Sequence, residues 1–396
     1  LNGRLLALVT TALVAFGTIA VASASEGQSV ANGGSSFSIM FRDLIYLGFG
    51  IFALYVMARI RIEKLVKIAP VAILVGLVML IAVKLAGVTT NGGTRWLNLH
   101  VILLQPSEIF KLFSVLFIAW LVQWHHEELA NWKTLLIWTA PLTIGAALIL
   151  VEPDIGTASV VAAVVFVVLA VAGLPRKILG QIALTGIATF AIYLKIKPYS
   201  AARFFSFLHP DKDLLGSGYQ LLQSKIGLGA GGLTGLGLGN SREKFGLLPN
   251  PHTDFIFSII GEELGLIGTL VVLALFVWFL LVMTRIARQC TNDVYRLIVV
   301  GVTTWIVLEA IINMASVVGG WAVTGIPLPF FSYGGTALIC ELAAVGLVYN
   351  IAHDTSQSGD VAIRAMVLSR GREAYEPRTP TPIHSRRVPN GQRQGR

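Results

Sequence analysis

The chain has 396 residues, is 55% hydrophobic and only 13% charged, and carries a formal net charge of +9. Soluble domains carry roughly 25% charged residues, so this composition excludes an ordinary soluble domain and indicates a membrane protein. The positive charge does not indicate nucleic acid, because a block of arginines falls in the polar tail after Asp354.

A membrane-crossing helix needs about 20 apolar residues. Reading apolar runs between polar or Pro/Gly breaks gives ten spans, at 5–23, 44–58, 68–87, 109–123, 134–151, 157–173, 178–194, 255–283, 297–319 and 335–352. The runs are continuous rather than alternating, so they predict helices and not barrel strands. The first run, followed by ASASEG, also fits a signal peptide, although its length better suits a first membrane helix. The expected fold is an all-α polytopic membrane protein over residues 1–354, with a large extracellular loop between helices 7 and 8. The tail over 355–396 has too little apolar content to fold and is expected to be a disordered, basic, cytoplasmic extension. Cys290 in a basic loop and Cys340 in an apolar run are too few for a disulfide framework.

The short loops sort by charge. Those after spans 2, 6 and 8 read RIRIEKLVK, PRK and RIARQCTNDVYR, and the positive-inside rule places them in the cytoplasm. The loops after spans 3, 5, 7 and 9 then face outward, and they hold nearly every unusual polar residue.

Asp254, in PHTDF at the outer mouth of span 8, reads either as a helix cap or as a carboxylate facing a polar cavity, able to take a proton. Glu262 and Glu263 lie about two turns deeper. Being adjacent, they cannot face one partner, and structural support is their expected role. Glu108 and Lys111 are spaced for an ion pair within one helix; the alternative turns Lys111 toward an anionic substrate. Arg95, Arg203, Arg242 and Lys244 are outward bases able to meet a phosphate. Pro327, Pro329, Gly334 and Gly335 break span 9 from span 10 and shape an irregular segment, which at that depth must be buried or line a cavity. Gly227, Gly229 and Gly232 match a nucleotide-binding pattern only formally, with no strand before them and no βαβ unit. His252, Asp254 and the glutamate pair follow no recognised metal spacing, and no metal site is expected.

The blocks RWLNL…LQPSEIFKL, EPDIGTA, GSGYQLLQSKIGLGAGGLTGLGLGNSREKFGLLPNPHTDFIFSIIGEELGLIG and VTGIPLPFFSYGG, in that order over residues 1–354, closely resemble the SEDS family of FtsW, RodA and SpoVE. GLGLGNSREK is most similar to the FtsW branch. The resemblance implies a ten-helix peptidoglycan glycosyltransferase of the bacterial cytoplasmic membrane, acting on its outer face at the division septum. It implies lipid II as substrate, and as partners a class B penicillin-binding protein and other divisome membrane proteins. Asp254 falls on the family's catalytic aspartate, Glu108 and Lys111 on its QPSE..K residues, and Arg95 and Trp96 on its RW pair. No cofactor is implied; a divalent cation is allowed for. Glu152 departs from a common family glutamine, and Pro251 from a common alanine. Outside the membrane nucleotide sugars and ATP are absent, so a sugar-polymerising site needs a lipid-linked donor carrying its own leaving group. Asp254 would then act as base, and the outward Arg and Lys would receive the pyrophosphate. A lipid II flippase and an elongation role like that of RodA are the competing readings.

Overall fold

The computed structural model describes residues 2–26, 38–90, 93–98, 103–212 and 216–375. The chain divides into two units, Leu1–His353 and Asp354–Arg396. All membrane-length helices start in the first.

That unit begins with three apolar helices, α1 (Asn2–Ala24), α2 (Ser38–Met57) and α3 (Ile62–Ala86). Three short antiparallel strands follow, β1 (Val88–Thr90), β2 (Gly93–Asn98) and β3 (Leu103–Leu104), with Val88 opposite Trp96 and Leu97 opposite Leu104. The chain continues through α4 (Pro106–His125), α5 (Trp132–Trp138), α6 (Ala140–Val151), α7 (Ile155–Val171) and α8 (Arg176–Ile196). The long connection contains α9 (Pro198–Phe205) and α10 (Ser217–Gly231) and leads into α11 (Ile256–Gln289), α12 (Asp293–Val318) and α13 (Thr336–Tyr375).

Among the described residues, eight helices are long and apolar enough to cross a membrane, and the bent α5–α6 pair makes a ninth. The 62° bend has a local cause: Pro141, two residues after Thr139, supplies no backbone N–H to continue the ladder. The expected span 157–173 is α7, an apolar helix of 17 residues. At 1.5 Å per residue it reaches about 26 Å, short of a hydrocarbon core of about 30 Å. It packs on α4 and α12, inside the bundle. The strands are a second difference from an all-helical expectation. β1 and β2 pair from Val88 opposite Trp96 to Thr90 opposite Gly93. Helix α13 runs beyond the boundary near 352 set by the apolar pattern. Of the expected tail, residues 376–396 lie outside the described residues.

Lipid offers no hydrophobic drive for helix association, so close packing and polar contacts must hold the bundle. The N-terminal helix shows how close the approach is. A Cβ on Gly17 would sit 2.0 Å from the carbonyl oxygen of Phe330, so only glycine lets α1 lie on the Phe330–Phe331 backbone. The first apolar run is thereby an integral helix of the bundle.

Helix α11 is broken at Gly265, whose φ of 65° and ψ of −161° are non-helical. The glycine-rich segment after α10 supplies the missing backbone partners. Leu266 and Ile267 N–H donate to the Gly232 and Leu233 carbonyls at 3.0 and 3.2 Å, and the Glu262 and Glu263 carbonyls accept from Leu236 and Gly237 at 2.9 Å. A helix interrupted at membrane depth is tolerated when neighbouring backbone satisfies the freed groups in this way.

Candidate active site

The segment His252–Asp254 is fixed through its backbone before its side chains do anything. Tyr333 N–H donates to the His252 carbonyl at 2.9 Å. The Ser332 hydroxyl donates to that of Thr253 at 2.6 Å, and Asn313 Nδ2 to that of Asp254 at 2.8 Å. Asn313 also donates to the Ile326 carbonyl at 2.8 Å. Three consecutive carbonyls are thus held by α12 and by the proline-rich segment between α12 and α13.

Asp254 sits two residues before α11, half-buried. A methyl built on Gly325 would lie 3.5 Å from Asp254 Oδ2 and 3.6 Å from Arg203 Nη2. Carboxylate and guanidinium therefore flank the same glycine, whose φ of 75° also excludes most side chains. Burial raises the Asp254 pKa; Arg203 and then Arg95 draw it back, and Asp154 adds a smaller push upward. A carboxylate with a raised pKa is a stronger base than an ordinary aspartate, and a cation beside it can take developing negative charge.

Arg95 approaches the same centre from β2, but its donors are committed. Nε donates to the Glu152 carbonyl at 3.1 Å, Nη2 to that of Pro153 at 2.6 Å, and Nη1 lies 3.7 Å from Asp154 Oδ2. Asp154 in turn caps α7, accepting from Thr157 N–H at 3.0 Å. Arg95 thus locks the α6–α7 turn beside Asp254. Trp96 is half-buried on the same strand. Glu152 is 4% exposed, and neither carboxyl oxygen has a hydrogen-bond partner among the described residues. Burial and then Asp154 push its pKa up to about 8, against the pull of Arg95 and Lys84. Where relatives resembled by the sequence often have a neutral glutamine, Glu152 therefore favours its own neutral form at pH 7.

Arg203, on α9, lines an open cleft with Ser200, Phe204, Pro153 and Thr324. The remaining expected residues form other networks. Lys244, expected to face a phosphate, is 1% exposed. Its ammonium lies 2.7 Å from the Gly239 carbonyl, 3.2 Å from Glu26 and 3.3 Å from Glu263, so its charge is already neutralised. Arg242 has an exposed side chain, while its backbone N–H donates to Glu262 at 2.8 Å.

Glu262 also accepts from the Ser241 hydroxyl and from Glu243 N–H. Glu263 takes the Ser23 hydroxyl at 2.6 Å as well as Lys244. Contrary to the expectation that they cannot face one partner, the two adjacent glutamates share Ser241, whose hydroxyl donates to Glu262 and whose backbone N–H donates to Glu263 at 3.4 Å, and both hold the 241–244 turn.

Lys111 is 2% exposed and bridges two carboxylates, Glu108 at 2.7 Å and Glu309. Trp305 covers its ammonium at 5.0 Å and donates Nε1–H to Glu309 at 2.8 Å. The expected intrahelical pair is present, with α12 supplying a second carboxylate. With its charge spent on two carboxylates, Lys111 stands as a clamp between α4 and α12. Pro327 and Pro329 lie in the segment under Asp254, where Glu341 accepts Phe330 N–H at 2.8 Å. Gly334 and Gly335 end it, Gly335 at φ 51° against the Tyr46 ring.

Asn313, Ser332, Glu309 and Glu341 were not singled out by sequence. Their one signal is a polar side chain inside or beside a membrane helix. Among the described residues, no three His, Cys, Asp or Glu side chains converge as a metal ion requires.

A helical bundle of membrane-length apolar helices, with a half-buried carboxylate and an arginine beside it at the mouth of one span, defines a polytopic membrane protein. A family model for FtsW, RodA and SpoVE, described as cell cycle protein, matches residues 3–357. A probable peptidoglycan glycosyltransferase FtsW of Synechocystis is 34% identical over 359 residues, covering 90% of this chain and 91% of that one. A probable peptidoglycan glycosyltransferase FtsW of Coxiella burnetii is 37% identical, covering 88% and 95%. A chain of a solved peptidoglycan synthase complex that coordinates polymerisation and crosslinking superposes with a TM-score of 0.72 at 28% identity, over 89% of this chain and 98% of that one. The protein belongs to the FtsW/RodA/SpoVE family.

Proposed function

We infer that the chain is a peptidoglycan glycosyltransferase that polymerises lipid II into glycan strands. The family, and the activity carried in its relatives' names, support the reaction class. The observation that carries the site assignment is the pair of opposite charges flanking Gly325, the half-buried Asp254 carboxylate and Arg203. Asp254 removes the proton from the acceptor hydroxyl as that oxygen bonds to the anomeric carbon of the donor sugar. The bond from that carbon to the pyrophosphate oxygen breaks, and Arg203 stabilises the charge of the departing pyrophosphate. Arg95 is a positioning residue that holds the α6–α7 turn.

The reaction faces outward, a placement supported by the bases in the loops after spans 2, 6 and 8. Residues 1–354 form the catalytic domain with ten spans, α7 included, and 355–396 a cytoplasmic tail. A class B penicillin-binding protein is the partner, a reading supported by the synthase complex that the fold resembles. Naming of the relatives supports a septal role over elongation. The experiment is incubation of the purified protein and its transpeptidase partner with lipid II, scored for glycan strands. Polymer is expected; movement of lipid II across vesicles without polymer would establish the flippase reading instead.

A further inference from the structure

The reaction gives Glu152 no task, yet its carboxyl is built into the turn beside Asp254. The residue closes α6, its N–H donating to the Leu148 and Ile149 carbonyls at 3.2 and 3.1 Å. Both carboxyl oxygens are buried and unpartnered among the described residues, a deficit that native interiors rarely leave. An ionised carboxylate enclosed in this way costs far more than a neutral acid. The charged groups that act on it are Arg95 from β2, Asp154 from the start of α7 and Lys84 from the exposed end of α3. From α8, Tyr193 turns its hydroxyl to the Leu150 carbonyl at 3.3 Å. Asp254 feels the same Arg95 and Asp154, together with Arg203.

While Glu152 keeps its proton, Arg95 and Arg203 offset Asp154 and Asp254. Arg95 can then spend its donors on the Glu152 and Pro153 carbonyls. Pro153 carries that hold to the reacting centre, because it lines the cleft together with Arg203. An ionised Glu152 would add a buried charge next to this lock, and a guanidinium bonds a carboxylate more strongly than it bonds neutral carbonyls. Arg95 drawn to the side chain releases the turn. A displacement of about 1 Å beside reacting atoms is enough to cost about 100-fold in rate.

We propose that Glu152 is a positioning residue that works protonated: with its proton it leaves Arg95 on the α6–α7 turn, and without it takes Arg95 from that turn and slows polymerisation. The proposal rests on the glycosyltransferase reading, and it adds a proton that the site must keep while Asp254 gives its own up.

The test is kcat for lipid II polymerisation by the protein and its transpeptidase partner from pH 6.5 to 9.5, in wild type, Glu152→Gln and Lys84→Gln. Burial and Asp154 raise the Glu152 pKa to about 8. Wild-type kcat should therefore fall about tenfold between pH 7 and pH 9, as loss of one required proton dictates. Glu152→Gln has no proton to lose, and its kcat should stay level over that range. Lys84 favours the ionised form, so Lys84→Gln should move the fall to higher pH. A side chain that only filled space would move no midpoint. Strand formation by the wild type at pH 7 tests the glycosyltransferase reading separately. A wild-type kcat that is level from pH 7 to pH 9 overturns the proposal without any variant. So does a folded Glu152→Gln that falls as the wild type does, or a midpoint left unmoved by Lys84→Gln.

Discussion

Replacing Glu152 by Gln isolates one carboxyl that the fold keeps uncharged. The side chain is 4% exposed, both oxygens lack partners among the described residues, and its pKa stands at about 8 against an ordinary 4.5. A folded-state pKa above the unfolded one means that the folded chain binds the extra proton. Stability is then greatest below about pH 4.5 and is lost as pH rises toward 8. At about 1.4 kcal/mol per pH unit, the full loss is about 5 kcal/mol, an upper bound because water reaching the ionised carboxylate screens its charge. Glutamine keeps the shape and removes the titration. Thermal unfolding of both proteins in one detergent, from pH 5 to 8.5, should give nearly coincident midpoints at pH 5. The variant should gain steadily up to about pH 8 and then hold its lead. Curves that stay parallel across that range would show that Glu152 is ionised in the fold, and its assignment as a neutral acid would fail.

Lys111→Ala leaves Glu108 and Glu309 buried without their cation, and should cost about 3–5 kcal/mol; Lys111→Met with Glu108→Gln and Glu309→Gln should recover most of it in the same melt. An inactive Lys111→Ala with unchanged stability would instead make Lys111 a substrate contact. Asn313→Ala removes the donors to the Asp254 and Ile326 carbonyls and should lower kcat by about 100-fold, as a displacement of about 1 Å does, with KM nearly unchanged in steady-state assays. Gly17→Val drives a side chain into the Phe330 carbonyl and should cost more stability than the about 1–3 kcal/mol usual for overpacking, read as a lower melting midpoint; a wild-type midpoint would disprove the packing of α1 on that segment.

Lipid makes parts of this structure easy to read from sequence. A spanning segment must be apolar for its whole length, so each expected run has a helix, and the departures occur where length and local backbone decide. The 17 residues of α7 show how a buried helix can be shorter than the bilayer. The break at Gly265 left no trace, because the apolar pattern continues across it and the compensating partners sit thirty residues earlier. Asp254, Arg95 and Arg203 were legible as outward charges beside a motif. The sequence could not rank those charges. Lys244 carries the same charge as Arg203, yet the 241–244 turn buries it against two carboxylates. Glu309 and Asn313 are remote in sequence from Lys111 and Asp254, and only the packing of α12 brings each pair together.

The most direct test of the account is polymerisation of lipid II by the purified protein and its transpeptidase partner, with wild-type Asp254 and with Asp254→Asn, across pH. The wild type should form glycan strands, with activity lost as pH falls through an aspartate pKa raised by burial. Asp254→Asn should melt like the wild type and form no strands at any pH. Strands made by the asparagine variant at a rate near wild type would contradict the assignment of Asp254 as the base.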